Sequence, residues 1–165
     1  VRVRVDQPGN HGAAAGIVET SDAGHRISAS GEYCWPNSLD VMGWRIEDDG
    51  LGVQFSRDIP QLVRTELRGA ADRFLSGAGI PFNAIDHFVF HPGGVKVLTA
   101  LEEAFEIAAP GLTVGRSILR DFGNMSAATV LFVLKRILEQ PISGRSLLGA
   151  LGPGFTAGFA VMEHD

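Results

Sequence analysis

The sequence is short of cysteine, of clustered lysine and arginine, and of long apolar runs, and each shortage excludes something. One cysteine, Cys34, in 165 residues forbids an internal disulfide, so the chain is not a disulfide-stapled secreted scaffold. No apolar stretch reaches the ~20 residues needed to span a bilayer, so no membrane helix is expected. The 14 basic side chains are scattered and are outnumbered by 19 acidic ones, leaving a formal net charge of -5. Such a distribution cannot track a phosphate backbone, which makes nucleic acid and anionic membranes poor partners. The opening Val1-Arg2-Val3-Arg4-Val5 alternates like an exposed strand, not like a signal peptide, so no targeting is indicated. A reducing cytoplasm is the expected compartment.

What is present is an ordinary globular composition, with 45% hydrophobic and 20% charged residues. A chain of this size buries roughly 70% of the surface its unfolded form exposes, enough for a core without metal or disulfide support. Its 21 glycines gather at the ends of apolar runs, the punctuation of a sheet protein with tight connections. Ala13 to Glu19 and Arg26 to Tyr33 read as a hairpin about the turn Thr20 to Gly24, and Gly43 to Ile46 and Leu51 to Phe55 as two more strands about Glu47-Asp48-Asp49-Gly50. Asp58 as N-cap, Pro60 in the first turn and apolar residues from Ile59 to Phe74 at helical spacing predict a long helix ended by Gly77 and Gly79. Ile85 to Phe90, the stop Pro92-Gly93-Gly94 and the amphipathic run Val97 to Phe105 form half a βαβ unit. A short helix over Val114 to Phe122 and a buried one from Ala127 to Leu134 follow, then strands Leu147 to Leu151 and Phe155 to Met162 about Gly152-Pro153-Gly154. The order predicts one α/β domain over residues 1–165, a layered mixed sheet with helices on its faces.

Few residues carry chemistry. Asn124 precedes a buried helix, where a polar residue caps free N–H groups at the positive end of the dipole and where negative charge is favoured. Position alone leaves both a plain cap and an anion-binding group open. His91 follows an apolar strand, at the end where open α/β sheets collect functional residues, and reads as a hydrogen-bond donor or as a partly buried structural imidazole. His87 and His91 spell H-x-x-x-H, but on a strand they stand roughly 13 Å apart, so no metal site is expected. Cys34, inside a strand-like segment, lacks the helix N-terminus that would activate a thiolate and reads as structural. Ser117 and Ser126 lack a nucleophile elbow, and Gly9-Asn10-His11-Gly12 and Gly93-Gly94 make no P-loop, so hydrolase and NTPase chemistry fall away. Glu102-Glu103 and Asp48-Asp49 read as solvated charge.

His91-Pro92-Gly93-Gly94, Gly123-Asn124-Met125-Ser126-Ala127 and Gly152-Pro153-Gly154-Phe155-Thr156 occur in the order and separation seen in type III polyketide synthases. Gly50-Leu51 with Asp58-Ile59-Pro60, and Gly12-Ala13-Ala14-Ala15, support the same likeness. The chain thus resembles the C-terminal half of the chalcone and stilbene synthases, a half of their thiolase-like fold, with residues 1–11 unmatched. The resemblance implies an acyltransferase that decarboxylates malonyl-CoA and condenses it with a CoA-derived acyl starter. By that resemblance His91 and Asn124 are the donors to the enolate oxygen, and Leu51, Val53, Gly152, Pro153, Gly154 and Phe155 shape the acyl and cyclisation pocket. Gly94 and Lys96 fall at the coenzyme A tunnel. The CoA thioesters are substrates and no resident cofactor is expected. The family's nucleophilic cysteine, phosphate-binding basic residues and dimer-crossing methionine belong to the N-terminal half, so that half and a second copy in a homodimer are the expected partners. Cys34 does not substitute for the nucleophile, and His11 stands where an aspartate is expected. A ketoacyl synthase half is the runner-up, although that branch carries H-Q-A-N at the histidine. A free-standing, non-catalytic half that binds a synthase is the reading from another class.

Overall fold

A computed structural model describes residues 2–6, 13–17, 24–108 and 111–165. The strands are β1 (Arg2–Asp6), β2 (Ala13–Ile17), β3 (Arg26–Cys34), β4 (Met42–Glu47), β5 (Gly50–Phe55), β6 (His87–Phe90), β7 (Gly144–Gly152) and β8 (Thr156–His164). The helices are α1 (Ile59–Leu62), α2 (Arg68–Gly77), α3 (Val95–Ala104), α4 (Thr113–Phe122) and α5 (Ala128–Leu138). The central sheet has the order β3-β8-β7-β6 and is mixed: β6 and β7 are parallel, the other pairs antiparallel. β4 and β5 form a separate hairpin.

Alternation along the sheet builds two cores. On one face Phe90, Leu147, Ala157, Phe159 and Val161 meet the helical run 59–77 and α3; on the other Val89 and Met162 meet α4 and α5. Both cores are buried, so the sheet strands carry apolar residues on consecutive positions and lose the clean period of a half-solvated sheet. Two glycines make the aromatic packing possible. A Cβ at Gly149 would stand 2.8 Å from the Phe90 ring, and one at Gly31 would stand 2.9 Å from that of Phe74, which stacks on Phe159 at 5.6 Å.

The first pairing departs from the expectation. β2 does not fold back on β3; it pairs with β1, while β3 pairs with β8 from Arg26↔Glu163 to Cys34↔Thr156. Val18, Glu19 and most of the supposed turn, Thr20 to Ala23, lie outside the described residues. The long helix begins where expected, with Pro60 in its first turn, but the Asp58 carboxylate makes no capping bond. The Ser56 hydroxyl takes the Asp58 N–H at 3.1 Å instead. Midway, Val63–Leu67 widens into a π-helical turn, a feature without a sequence signature. The rod ends at Gly79, in the left-handed region at φ 69°, as the Ile80 N–H reaches back to the Leu75 carbonyl at 2.9 Å. Glu102 is no solvated charge: it accepts from the Leu112 N–H at 2.9 Å and from Arg116, which holds its carboxyl below the usual range.

Gly149→Val should therefore push against Phe90 and cost about 1–3 kcal/mol of stability, read from chemical denaturation of both forms. An unchanged midpoint would mean that the ring simply moves aside.

Candidate functional site

The strand topology delivers three segments to one end of the sheet. β6 and β7 run parallel, and the pairing ends with the His91 N–H donating to the Gly149 carbonyl at 2.8 Å. β7 runs on for three more residues, roughly 10 Å, so the turn Gly152 to Phe155 projects beyond the level of His91. β3 ends beside that turn, because Cys34 pairs with Thr156.

His91 and Asn124 meet at Gly93. The Gly93 N–H closes a tight turn onto the His91 carbonyl at 3.0 Å, and the place of a Gly93 Cβ lies 3.9 Å from His91 Nε2. From the other side Asn124 Nδ2 donates to the Gly93 carbonyl at 3.0 Å. Asn124 is not the cap of α5, which starts four residues later at Ala128. The Thr129 hydroxyl serves that end, accepting from the Met125 N–H and donating to the Ser126 carbonyl, both at 2.8 Å. Asn124 Oδ1 instead takes the Ser126 N–H at 2.9 Å, an Asx turn that fixes which end of the amide faces Gly93. One Nδ2 hydrogen is thereby used and the second is left to point elsewhere.

Burial pushes the His91 pKa below its ordinary 6.5, so the ring is neutral at pH 7. Its Nδ1 is buried with no hydrogen-bond partner among the described residues. An orphaned N–H costs more than an orphaned lone pair, so the proton belongs on Nε2, which makes that nitrogen a donor.

The remaining expected residues fall into two groups. Gly94 is the N-cap of α3 and Lys96 lies exposed in its first turn, directly after the Gly93 junction. Leu51 and Val53 lie on β5 and are 66% and 53% exposed. They belong to a wholly apolar hairpin face: Met42, Trp44 and Ile46 stand opposite Phe55, Val53 and Leu51. Trp44, Ile46 and Phe55 were missed, although period-2 alternation through β4 and β5 signals them. In the turn Pro153 is exposed, whereas Phe155 is 1% exposed and packs on Trp35 at 4.8 Å. Phe155 therefore shapes this end of the sheet through its backbone, held in the left-handed region at φ 46°. Cys34 is exposed at the end of β3.

His87 lies at the opposite end of the sheet, donating from Nε2 to the Ser143 carbonyl at 3.0 Å. There His164 Nε2 stands 2.7 Å from the Ser146 hydroxyl and His164 Nδ1 2.9 Å from His25 Nδ1. Burial, with the imidazoles of His25 and His87, lowers the His164 pKa. Among the described residues no group of three or more His, Cys, Asp or Glu could hold a metal ion, and no helix is long and apolar enough to cross a membrane.

Residues 26–163 match the C-terminal domain of chalcone and stilbene synthases. The chain belongs to that family. A putative chalcone synthase of Bacillus subtilis is 43% identical over 123 residues, which cover 73% of this chain and 34% of that protein. The 1,3,6,8-tetrahydroxynaphthalene synthase of Streptomyces peucetius is 36% identical over 161 residues, 92% of this chain and 43% of that protein. The crystal structure of the corresponding synthase of Streptomyces coelicolor, a bacterial type III polyketide synthase, superimposes with a TM-score of 0.83 at 24% identity. It is matched over 93% of this chain and 45% of its own, which establishes the shared thiolase-like fold. The chain thus spans less than half the length of the relatives it matches and corresponds to their C-terminal part.

A histidine-resolved nuclear magnetic resonance titration should give His91 a midpoint below 6.5 and the Nε2–H tautomer at pH 7. Because the folded-state pKa is depressed, His91 opposes folding only as pH drops below 6.5, where the unfolded chain takes up the proton first. A midpoint above 6.5 would remove the neutral donor.

Proposed function

We propose that this chain is the half of a type III polyketide synthase that supplies the donors for malonyl-CoA decarboxylation, His91 Nε2–H and the second Nδ2–H of Asn124. The convergence of both side chains on Gly93 carries the reading. Loss of CO₂ from a malonyl thioester leaves its electron pair in an enolate, with negative charge on the thioester oxygen. Two preorganised donors in a partly dry site stabilise that charge by about 3 to 4 kcal/mol each. A neutral imidazole still donates through its one N–H, so the step does not require the ring to be charged. The enolate carbon then attacks an acyl thioester on the cysteine of the N-terminal half. A carbon–carbon bond forms, the thiolate leaves, and the chain is two carbons longer.

The apolar β4–β5 face that bears Leu51 and Val53 suits a growing acyl chain, and the projecting turn Gly152 to Phe155 suits a wall of its cavity. Gly94 and Lys96, at the start of α3, stand where a CoA arm would pass on its way to Gly93. Across β3, β8 and β7 a groove beside α5 is floored by Leu148 and by the small residues Ser30, Ala160, Gly158 and Ala150. That uncovered face supports packing by the N-terminal half, and the joined halves would pair with a second copy as a homodimer. The CoA thioesters are substrates, and the chemistry calls on no resident cofactor. A second reading, a non-catalytic half that only binds a synthase, is favoured by one observation: the sole cysteine, Cys34, lies exposed at a strand end, away from any helix N-terminus.

In a polypeptide that joins this chain to the family's N-terminal half, His91→Ala and Asn124→Ala should each slow malonyl-CoA decarboxylation by roughly 100-fold or more. Rates within a few-fold of the parent would refute the donor assignment and leave the binding-only reading. The chain alone, incubated with acyl-CoA, should show no covalent adduct by intact mass. A stable adduct would place a nucleophile within these residues.

A further inference from the structure

The segment between β3 and β4 holds both the turn Gly152 to Phe155 and the β4–β5 hairpin, and its one buried hydroxyl sits at the junction. Ser38 is 7% exposed, and its Oγ lies 2.6 Å from the Trp35 carbonyl and 2.9 Å from the Gly154 carbonyl. Its single hydrogen is shared between the two acceptors. Around it the turn is gripped twice more: the Gly154 N–H donates to the carbonyl of Met42, the first residue of β4, at 2.7 Å, and the Trp35 N–H donates to the Phe155 carbonyl at 3.4 Å. Toward the hairpin, Gln54 Nε2 donates to the Asp40 carbonyl at 2.8 Å and the Ser56 N–H to the Val41 carbonyl at 2.8 Å. The turn is therefore not free to move independently of the hairpin.

We propose that Ser38 is a positioning residue, a latch that locks the turn Gly152 to Phe155 to the hairpin presenting Leu51 and Val53 and so fixes the size of the acyl cavity between them. Two features make the hydroxyl matter. Gly154 at φ 71° and Phe155 at φ 46° are consecutive left-handed residues, and the Phe155 conformation persists only while its surroundings enforce it. Besides Ser38, the one hydrogen-bond donor to the Gly154 carbonyl among the described residues is the Cys34 thiol at 3.6 Å, a weak donor. Removing the Oγ leaves that carbonyl underused and releases the strained Phe155. The consequence for product length rests on the synthase reading above; the latch itself does not.

Two measurements separate these parts. In the present chain, amide hydrogen exchange of Ser38→Ala should speed up about tenfold at Gly154 and Trp35 while the Leu98 amide of α3 keeps its rate, and Ser38→Thr should restore the slow rates. An unchanged Gly154 amide, or equal acceleration at Leu98, overturns the latch. In the polypeptide that includes the N-terminal half, the ratio of longer to shorter polyketides made from malonyl-CoA should shift in Ser38→Ala and return in Ser38→Thr. This ratio does not depend on how much protein is folded. A ratio identical to the parent's, with the amides loosened, overturns the link to cavity size. A parent that makes no polyketide refutes the synthase reading, and the exchange rates then decide the latch alone.

Discussion

The hydrogen bond from the His91 N–H to the Gly149 carbonyl is the last rung of the only parallel pairing in the described sheet, and the functional end of the molecule hangs on it. A parallel neighbour requires a crossover, here α3, α4 and α5, and those helices carry Gly94, Lys96 and the loop with Asn124 back over the strand end. Gly149 is small enough for Phe90 to lie across it, which lets β6 approach β7 and sets the height of His91. Core packing and site geometry are thus one constraint. Anything that moves Phe90 moves the next residue, the imidazole.

Around that rung the polar atoms are arranged sparingly. Gly93 accepts from Asn124, Asn124 accepts from Ser126, and Thr129 ties Met125 and Ser126 to the helix start, so each of these polar groups, the exposed Asn124 included, has a defined partner. Among the described residues two buried side-chain nitrogens have no partner, Trp35 Nε1 and His91 Nδ1. In the His91 ring, which burial keeps neutral, a lone pair without a donor leaves the other nitrogen as the hydrogen-bond donor. On the opposite end of the sheet His25, His87 and His164 lie close together and find one another and Ser146, which shows how different the same side chain is when its partners are built in.

Local signals in the sequence were read well and distant ones poorly. Pro60, the glycines at 77 and 79, and helical spacing located the rod of residues 59–77, and Pro92-Gly93-Gly94 located the end of β6. The π-helical turn at Val63–Leu67 has no such marker, because its extra residue is accommodated by packing on α3. The β2–β3 hairpin failed for a different reason: two strands close in sequence look paired until β8, far along the chain, supplies β3 with a better partner. Motif order marks Asn124 as important, yet no side chain caps α5, and Thr129, a β-branched residue that reads as helix interior, ties the preceding Met125 and Ser126 to its first turn. Ser38 passed unnoticed, since a serine after Trp35-Pro36-Asn37 looks like any turn residue until the Gly154 carbonyl arrives from more than a hundred positions away.

The order β3-β8-β7-β6 also has a bearing on synthesis. β8 is the last of the four strands to be made and one of the two inner ones, and β3, already complete, has no other partner in the sheet. Roughly 120 residues separate Cys34 from Thr156, which at about 5–20 residues per second leaves β3 a bare edge for about 6 to 25 s on the ribosome. Assembly of the sheet cannot be completed while the nascent chain still lacks β8. Until then the unpaired edge of β3 is open to chaperones and to neighbouring chains, and the yield of folded protein depends on what reaches it first.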